Sequence, residues 1–389
     1  MDALLAAPLA ALLPDAATLA GLGSVLLLAA GLAALLLRGF PALGRVVLGG
    51  GGRAGELDGL RGVLSLLVIL HHCIIFRAYC ATGQYEAPAG HFDNLAGEAA
   101  VALFFTITAY LYWRRLLAGA PLRWPALLVG RLRRLVPMYV AAVAALVAIV
   151  LAESGFALRV PPGELAAEIG QWLCFDFLPL PDINARPGTY YIEVVVWTLR
   201  YEWEFVLCLP LLALFAVGRR PWLLYAAGLL LLALTTSRPV QLYGYFLVGL
   251  LVAHLRGLAP PFWFGPRVQA WAGLAAVPAL VLGFTDVYGP AQMALLGLVF
   301  VGVTSGAGPW AVLRWPPLRF LGLISYGTYL LHHMVLYLVA TRLLGPERFA
   351  ALEGAELQGV VLAVGAGAVL LATATHLLIE RPCLPARAH

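Results

Sequence analysis

Asp58, Arg61 and His72 lie in the stretch ELDGLRGVLSLLVILHHC. An imidazole takes a proton from a hydroxyl or carries an acyl group, and an arginine fork holds phosphate or carboxylate oxygens through paired hydrogen bonds. On a helix advancing about 100° per residue, Arg61, Ser65, Val68 and His72 fall on one stripe. At ~1.5 Å per residue, His72 stands about 16 Å beyond Arg61. His71 points roughly 100° away from it. Two more ionisable groups sit inside apolar runs, Glu202 in WTLRYEWEF and His332 in ISYGTYLLHH. In GRLRRLVPMY, Arg131 and Arg134 are spaced i, i+3 and share a face just before Pro137, which is predicted to open the next helix.

Helices in a membrane must position these groups. With 62% hydrophobic and 12% charged residues and a mean hydropathy of +0.89, a chain of 389 residues has too little polar surface for a water-soluble fold. A net charge of +5 would suit a nucleic acid. All 25 basic residues are Arg, however, and most sit in short loops between apolar runs, so they read as a topology signal and no nucleic-acid partner is expected. The absence of Lys, beside abundant Ala, Leu, Gly and Arg, fits a high-GC bacterial genome. The five cysteines form no CxxC pair and no metal-ligand spacing, and no metal is expected.

About eleven apolar stretches are long enough to span a bilayer: 16 to 37, 60 to 80, 96 to 117, 135 to 152, 190 to 217, 221 to 237, 240 to 256, 268 to 285, 291 to 306, 318 to 341 and 357 to 379. The fold class is therefore all-α, a polytopic membrane helical bundle. Asp2 and Asp15 flank the first stretch, which lacks a basic start and reads as an uncleaved membrane helix. Eighteen arginines fall on one side of the membrane and six on the other, which puts the first side in the cytoplasm, the N-terminus outside and the C-terminus inside. Glu153 to Thr189 is then external, with PPGELAAEIGQWLCF as a short helix on the outer face.

Counted along their spans, Glu202 lies ~13 Å in from the outer end, and His332 ~21 Å from the inner face. His72, Glu202 and His332 thus share a depth near the midplane, where an unpaired carboxylate costs ~2.5 to 3.5 kcal/mol. A polar chamber accounts for them, and so do unrelated hydrogen bonds between packed helices. Arg131 and Arg134 suit phosphate binding or ordinary anchoring at the cytoplasmic face.

These stretches resemble the acyltransferase-3 family of integral membrane proteins, which modify bacterial surface and exported glycans. Asp58, Arg61 and His72 match its acidic-Gly-Leu-Arg-Gly opening with an Arg, ten residues and a His. Arg131, Arg134, Pro137 and Tyr139 match its Arg-x-x-Arg before Pro-x-Tyr. LFFTITAYL is similar to its Leu-Phe-Phe-x-x-Ser-Gly-Phe element, with Thr108 and Ala109 departing from Ser-Gly. WTLRYEWEF is similar to its Trp-Ser-Leu-x-x-Glu segment and singles out Glu202 over Glu204. Ser325, Tyr326, Tyr329 and His332 match Ser-Tyr-x-x-Tyr-Leu-x-His, and IERP its Glu-Arg-Pro ending.

The resemblance implies a membrane O-acyltransferase that moves an acyl group from cytoplasmic acyl-coenzyme A, acetyl-coenzyme A by default, to a hydroxyl of a glycan or lipid-linked saccharide. His72, with Glu202 and His332, would be catalytic. Arg61, Arg131, Arg134, Ser325 and Tyr326 would bind the coenzyme. Residues 53–389 form the membrane acyltransferase domain, and residues 1–52 an additional helix and cytoplasmic linker before the family's usual ten helices. With no esterase-like stretch after IERP, the chain is expected to act alone or to hand its acyl group to a separate periplasmic transfer protein. The expected location is the bacterial inner membrane, with lipid around it. On this reading a tunnel crosses the membrane, with His72 near its middle and Glu202 and His332 in its outer half. A transporter or flippase with a His/Glu proton relay is the alternative, and it requires broken helices in an internal repeat.

Overall fold

The computed structural model describes residues 16–48, 55–86, 91–119, 123–217, 221–257 and 265–384, which are helical with no strand among them. Asp2 and Asp15 lie outside these residues, as do Arg53, Arg219, Arg220 and Arg387. Helices α1 (Ala16–Gly39) and α2 (Pro41–Leu48) precede the long spans α3 (Gly55–Thr82), α4 (His91–Leu117) and α5 (Trp124–Glu153). A surface helix, α6 (Pro162–Trp172), leads to α7 (Trp197–Val217), α8 (Pro221–Leu234), α9 (Arg238–Gly257), α10 (Pro266–Gly283) and α11 (Pro290–Ser305). The chain closes with α12 (Pro316–Leu323), α13 (Ser325–Leu338), α14 (Pro346–Ala350) and α15 (Gly354–Thr375).

Each of the apolar stretches contains helix. Among the described residues five helices are by themselves long and apolar enough to cross a membrane, or up to seven spans if each of two bent pairs counts as one. Apolar side chains face outward as well as inward. Leu207, Leu211 and Leu214 form an exposed stripe on α7, and Leu229, Leu230, Leu231 and Leu234 are exposed on α8. In water such faces would be unstable; in lipid they are solvated, and helices satisfy their backbone groups internally. The first helix belongs to the bundle, since α1 packs on α12 and α15 and Gln358 donates to the Gly21 carbonyl at 3.1 Å and to Ser24 Oγ at 2.7 Å.

Three sequence-based boundaries are corrected. Pro137 does not open a helix: α5 starts at Trp124, with Pro137 inside it. The stretch 318 to 341 is not one rod, because α12 and the helix after Ile324 meet at 70°. Ser325 Oγ bonds back to the Gly322 carbonyl at 2.9 Å, a Gly/Ser arrangement that bends helices. The stretch 190 to 217 begins as a helix only at Trp197. Before it, Thr189–Ile192 forms one tight 3-10 turn after Gly188, which has φ +73°, Glu193 is extended, and the buried Val194, Val195 and Val196 lead without helix into the turn before Trp197. Three consecutive β-branched residues disfavour a helical start and suit an extended segment.

The loop before that buried segment is tied together by hydrogen bonds and ion pairs. Asn184, in the left-handed region that asparagine tolerates, accepts from the Arg159 N–H at 2.7 Å and donates to the Ala157 carbonyl at 3.0 Å. Arg186 Nε and Arg342 Nη2 both reach Glu153, each at 2.6 Å.

Helix α3 lies directly on the chain from Gly308 to Leu323. A Cβ on Gly59 would overlap the Leu313 carbonyl, and one on Gly322 the Asp58 carbonyl. Backbone cannot yield as a side-chain tip does. Gly322→Ala is expected to destabilise by about 1 to 3 kcal/mol or more, lowering the unfolding temperature of the purified protein in detergent. Gly23→Ala, with open space around it, should be neutral or mildly stabilising.

Candidate active site

A cavity of 790 Å3 opens among α3, α4, α5, α7 and α13. Its polar lining includes Arg61, Arg115, Arg123, Arg131 and Arg134, against one carboxylate, Glu202. Arg131 Nη2 donates to Glu202 Oε2 at 2.5 Å and Nη1 to the Tyr112 hydroxyl at 3.4 Å. The guanidinium also lies 5.2 Å from the Trp203 ring centre. Thr108 donates to the other carboxylate oxygen at 3.3 Å. Among the described residues no carboxylate pairs with Arg61, Arg115, Arg123 or Arg134, and Arg131 Nε is buried without a partner. Net positive charge in a pocket of cofactor size, within the ~300 to 1,000 Å3 typical of such sites, is suited to a large anion.

Ser325 and Tyr326 line the same cavity. Their hydroxyls are engaged by the bundle, Ser325 with the Gly322 carbonyl and Tyr326 with the Leu135 carbonyl at 3.1 Å. The lining reaches Phe104, Thr198 and Tyr329, where the Thr198 and Tyr329 hydroxyls are 3.0 Å apart.

Beyond Tyr329 lies a cluster of histidines. The Tyr329 and His332 rings are 6.0 Å apart, and the His72 ring lies 5.1 Å from His332 and 5.2 Å from His333, edge to face. His332 and His333 are 0% exposed. His332 Nδ1 is 2.7 Å from the Tyr329 carbonyl and so carries the hydrogen, which leaves its buried Nε2 bare and unpartnered. His72 Nδ1 meets the Tyr85 hydroxyl at 3.1 Å. The His71 ring turns the other way and packs against Gly97 of α4. Among the described residues no group of three or more His, Cys, Asp or Glu could hold a metal ion.

The three groups expected at one depth divide into two places. His72 and His332 meet, whereas Glu202 joins Arg131 in the cavity. Two misplaced boundaries explain this: α7 starts seven residues later than 190, and α5 carries Arg131 two turns up from Trp124. Neither His72 nor His332 lines the cavity, so it is not the continuous tunnel the sequence suggested. Arg61, Arg131, Arg134, Ser325 and Tyr326 are brought together. Arg115, Arg123, Tyr85 and His333 were not singled out from the sequence. Position beside His332 was the signal for His333, and Arg115, Arg123 and Tyr85 carried none.

The fold and site define a helical membrane protein whose cationic cavity ends next to a cluster of buried histidines. A sequence model described as an acyltransferase domain, that of the acyltransferase-3 family, matches residues 55–377. The chain belongs to the acyltransferase-3 family and is a membrane acyltransferase. Neither the curated proteins nor the solved structures yield a match. The matched region begins with α3, so α1 and α2 precede it.

The Arg131–Glu202 pair is mostly buried, with side chains 9% and 21% exposed. Removing one member leaves the other charge uncompensated. Glu202→Ala should destabilise the protein, and adding Arg131→Ala should restore part of the loss, a coupling of about 0.5 to 3 kcal/mol. Thermal unfolding of the two single variants and the double variant measures it; additive losses would mean that the pair is not coupled.

Proposed function

We propose that the protein transfers an acyl group, acetyl by default, from acyl-coenzyme A to a hydroxyl of a cell-surface or exported glycan or its lipid-linked precursor. The cavity carries this reading: it is rich in arginine and ends at Tyr329, against the His332 ring. The donor's phosphates would sit among Arg61, Arg115, Arg123, Arg131 and Arg134, its arm pointing toward Tyr329, with Ser325 and Tyr326 on the wall. Glu202 would act through Arg131, holding its fork. His72 would take the acceptor hydroxyl's proton as the oxygen attacks the thioester carbon. The C–S bond then breaks, and the leaving thiolate regains that proton. His332, with its bare Nε2, would accept from a neighbouring hydroxyl of the acceptor.

Orientation rests on the arginine asymmetry, which supports a cytoplasmic donor side, an external Glu153 to Thr189 loop and a bacterial inner membrane. Direct transfer and hand-over to a periplasmic protein both fit an acceptor on the outer side. A transporter would use broken helices in an internal repeat. The two bent pairs here are consecutive, at Pro290–Arg314 and Pro316–Leu344, and do not occupy corresponding halves.

His72→Ala should lower release of coenzyme A from acetyl-coenzyme A, by purified protein given a membrane saccharide extract, by roughly 10² to 10⁴-fold. A dead His71→Ala beside an active His72→Ala would overturn the assignment. Arg61→Ala, Arg131→Ala and Arg134→Ala should each weaken coenzyme A binding about tenfold or more, as charge-assisted bonds contribute ~1.5 to 3 kcal/mol. Unchanged calorimetric affinities would remove the donor from this cavity. In a chain cleared of native cysteines, Ala157→Cys should react with an impermeant reagent in intact cells and Ala118→Cys only after lysis; the opposite pattern would reverse the sides.

A further inference from the structure

His72 belongs to a chain of hydrogen bonds that ends on main chain. His72 Nδ1 lies 3.1 Å from the Tyr85 hydroxyl, that hydroxyl lies 3.0 Å from His333 Nε2, and His333 Nδ1 lies 3.2 Å from the Ile192 carbonyl. Tyr85 follows α3 and Ile192 ends the 3-10 turn of the inward-folded segment, so the chain joins three separate parts of the fold.

A carbonyl oxygen only accepts. His333 Nδ1 must therefore hold the hydrogen, and in a neutral ring Nε2 is then an acceptor. The Tyr85 hydroxyl donates its single hydrogen to that nitrogen, and burial, which pushes the phenol's pKa up, keeps the hydrogen in place. The Tyr85 oxygen is left to accept, so His72 Nδ1 must donate to it. The reversed chain would set the bare His333 Nδ1 against the Ile192 oxygen, lone pair to lone pair, in a buried site. We propose that Tyr85 and His333 are positioning residues that hold His72 as the Nδ1–H tautomer, with Nε2 bare for the reaction, and that the Ile192 carbonyl sets the direction of the whole chain.

This rests on His72 being the base. Once Nε2 takes the acceptor's proton, the ring is cationic, and its Nδ1–H already has an acceptor in Tyr85. The tyrosine also prevents the imidazole from turning over about its Cβ–Cγ bond. His72, Tyr85 and His333 all lie outside the lining of the donor cavity, so donor affinity should be independent of the chain.

Histidine nitrogen NMR of the labelled full-length protein in bilayers tests the tautomer without any substitution in the chain, His72 being identified by the signals lost in His72→Gln. A protonated Nδ1 and bare Nε2 are expected; a protonated Nε2 with bare Nδ1 overturns the proposal. Tyr85→Phe should mix the two tautomers and lower kcat with acetyl-coenzyme A at least about tenfold, part of the 10² to 10⁴ a general base contributes, with the donor KM unchanged. His333→Asn keeps a donor toward Ile192 but does not reach Tyr85, and should behave alike. The double variant should be no slower than the slower single one, since both act through the same ring. Multiplying losses, or a KM effect in place of a kcat effect, would assign Tyr85 a merely structural role. If His72→Ala keeps full activity, the base assignment falls and the chain with it; if it is dead while Tyr85→Phe keeps wild-type kcat, the base assignment stands and the chain falls.

Discussion

Backbone contact between α3 and the stretch Gly308–Leu323 is the constraint on which the site depends. Gly59, Gly62 and Gly322 let carbonyls approach where any side chain would intervene. In a membrane, where helices gain little from hiding apolar surface from one another, such close packing is a principal source of association. The contact fixes the height of α3, and with it Arg61 and His72. It also fixes α12, whose break at Ile324 aims α13 and therefore Tyr326, Tyr329, His332 and His333. Arginine and histidine sites are thus set against each other by one seam of backbone contact.

Charge is then distributed according to the cost of leaving water. Five arginines share a cavity with one carboxylate, and that carboxylate is taken by Arg131, the least exposed partner in the pair. The others have no ion pair among the described residues, which is tolerable because the cavity is a polar space and arginine is weakly hydrated for a cation. His333 avoids the same cost differently. As a neutral ring it donates to the Ile192 carbonyl and accepts from the Tyr85 hydroxyl, so it is satisfied without any charge.

The bundle was legible in the sequence because hydropathy reports burial in lipid directly, and every apolar stretch contains helix. Arg61, His72 and the Arg131–Arg134 pair were legible because helical spacing places them on known faces. Glu202 was misplaced because depth counting assumes one unbroken rod. Val194, Val195 and Val196 carried a β-branched signal against that assumption, hidden inside an equally apolar window. The break at Ile324 was hidden likewise, since Gly322 and Ser325 sit among Leu321, Leu323 and Ile324 and leave the window's mean hydropathy apolar. Tyr85 was invisible because its role arises from a contact with His333, 248 residues away, and no periodicity reports such a contact.

On the proposed function, the partition at Tyr329 has an energetic meaning. A polar tie across it is the Thr198–Tyr329 hydroxyl pair, a neutral hydrogen bond with a net contribution of about 0.5 to 1.5 kcal/mol. Several charge-assisted bonds between arginines and phosphates, at ~1.5 to 3 kcal/mol each, far exceed that. On that reading the donor's arm would have to displace Tyr329 to reach His72, and its phosphate contacts would supply free energy toward that step. Without the donor, the Phe104 and Tyr329 rings, 5.9 Å apart, keep the cationic cavity separate from the histidines. On the same reading the thioester would meet the base only when it fills the passage itself, and water and ions would have no open path when it does not.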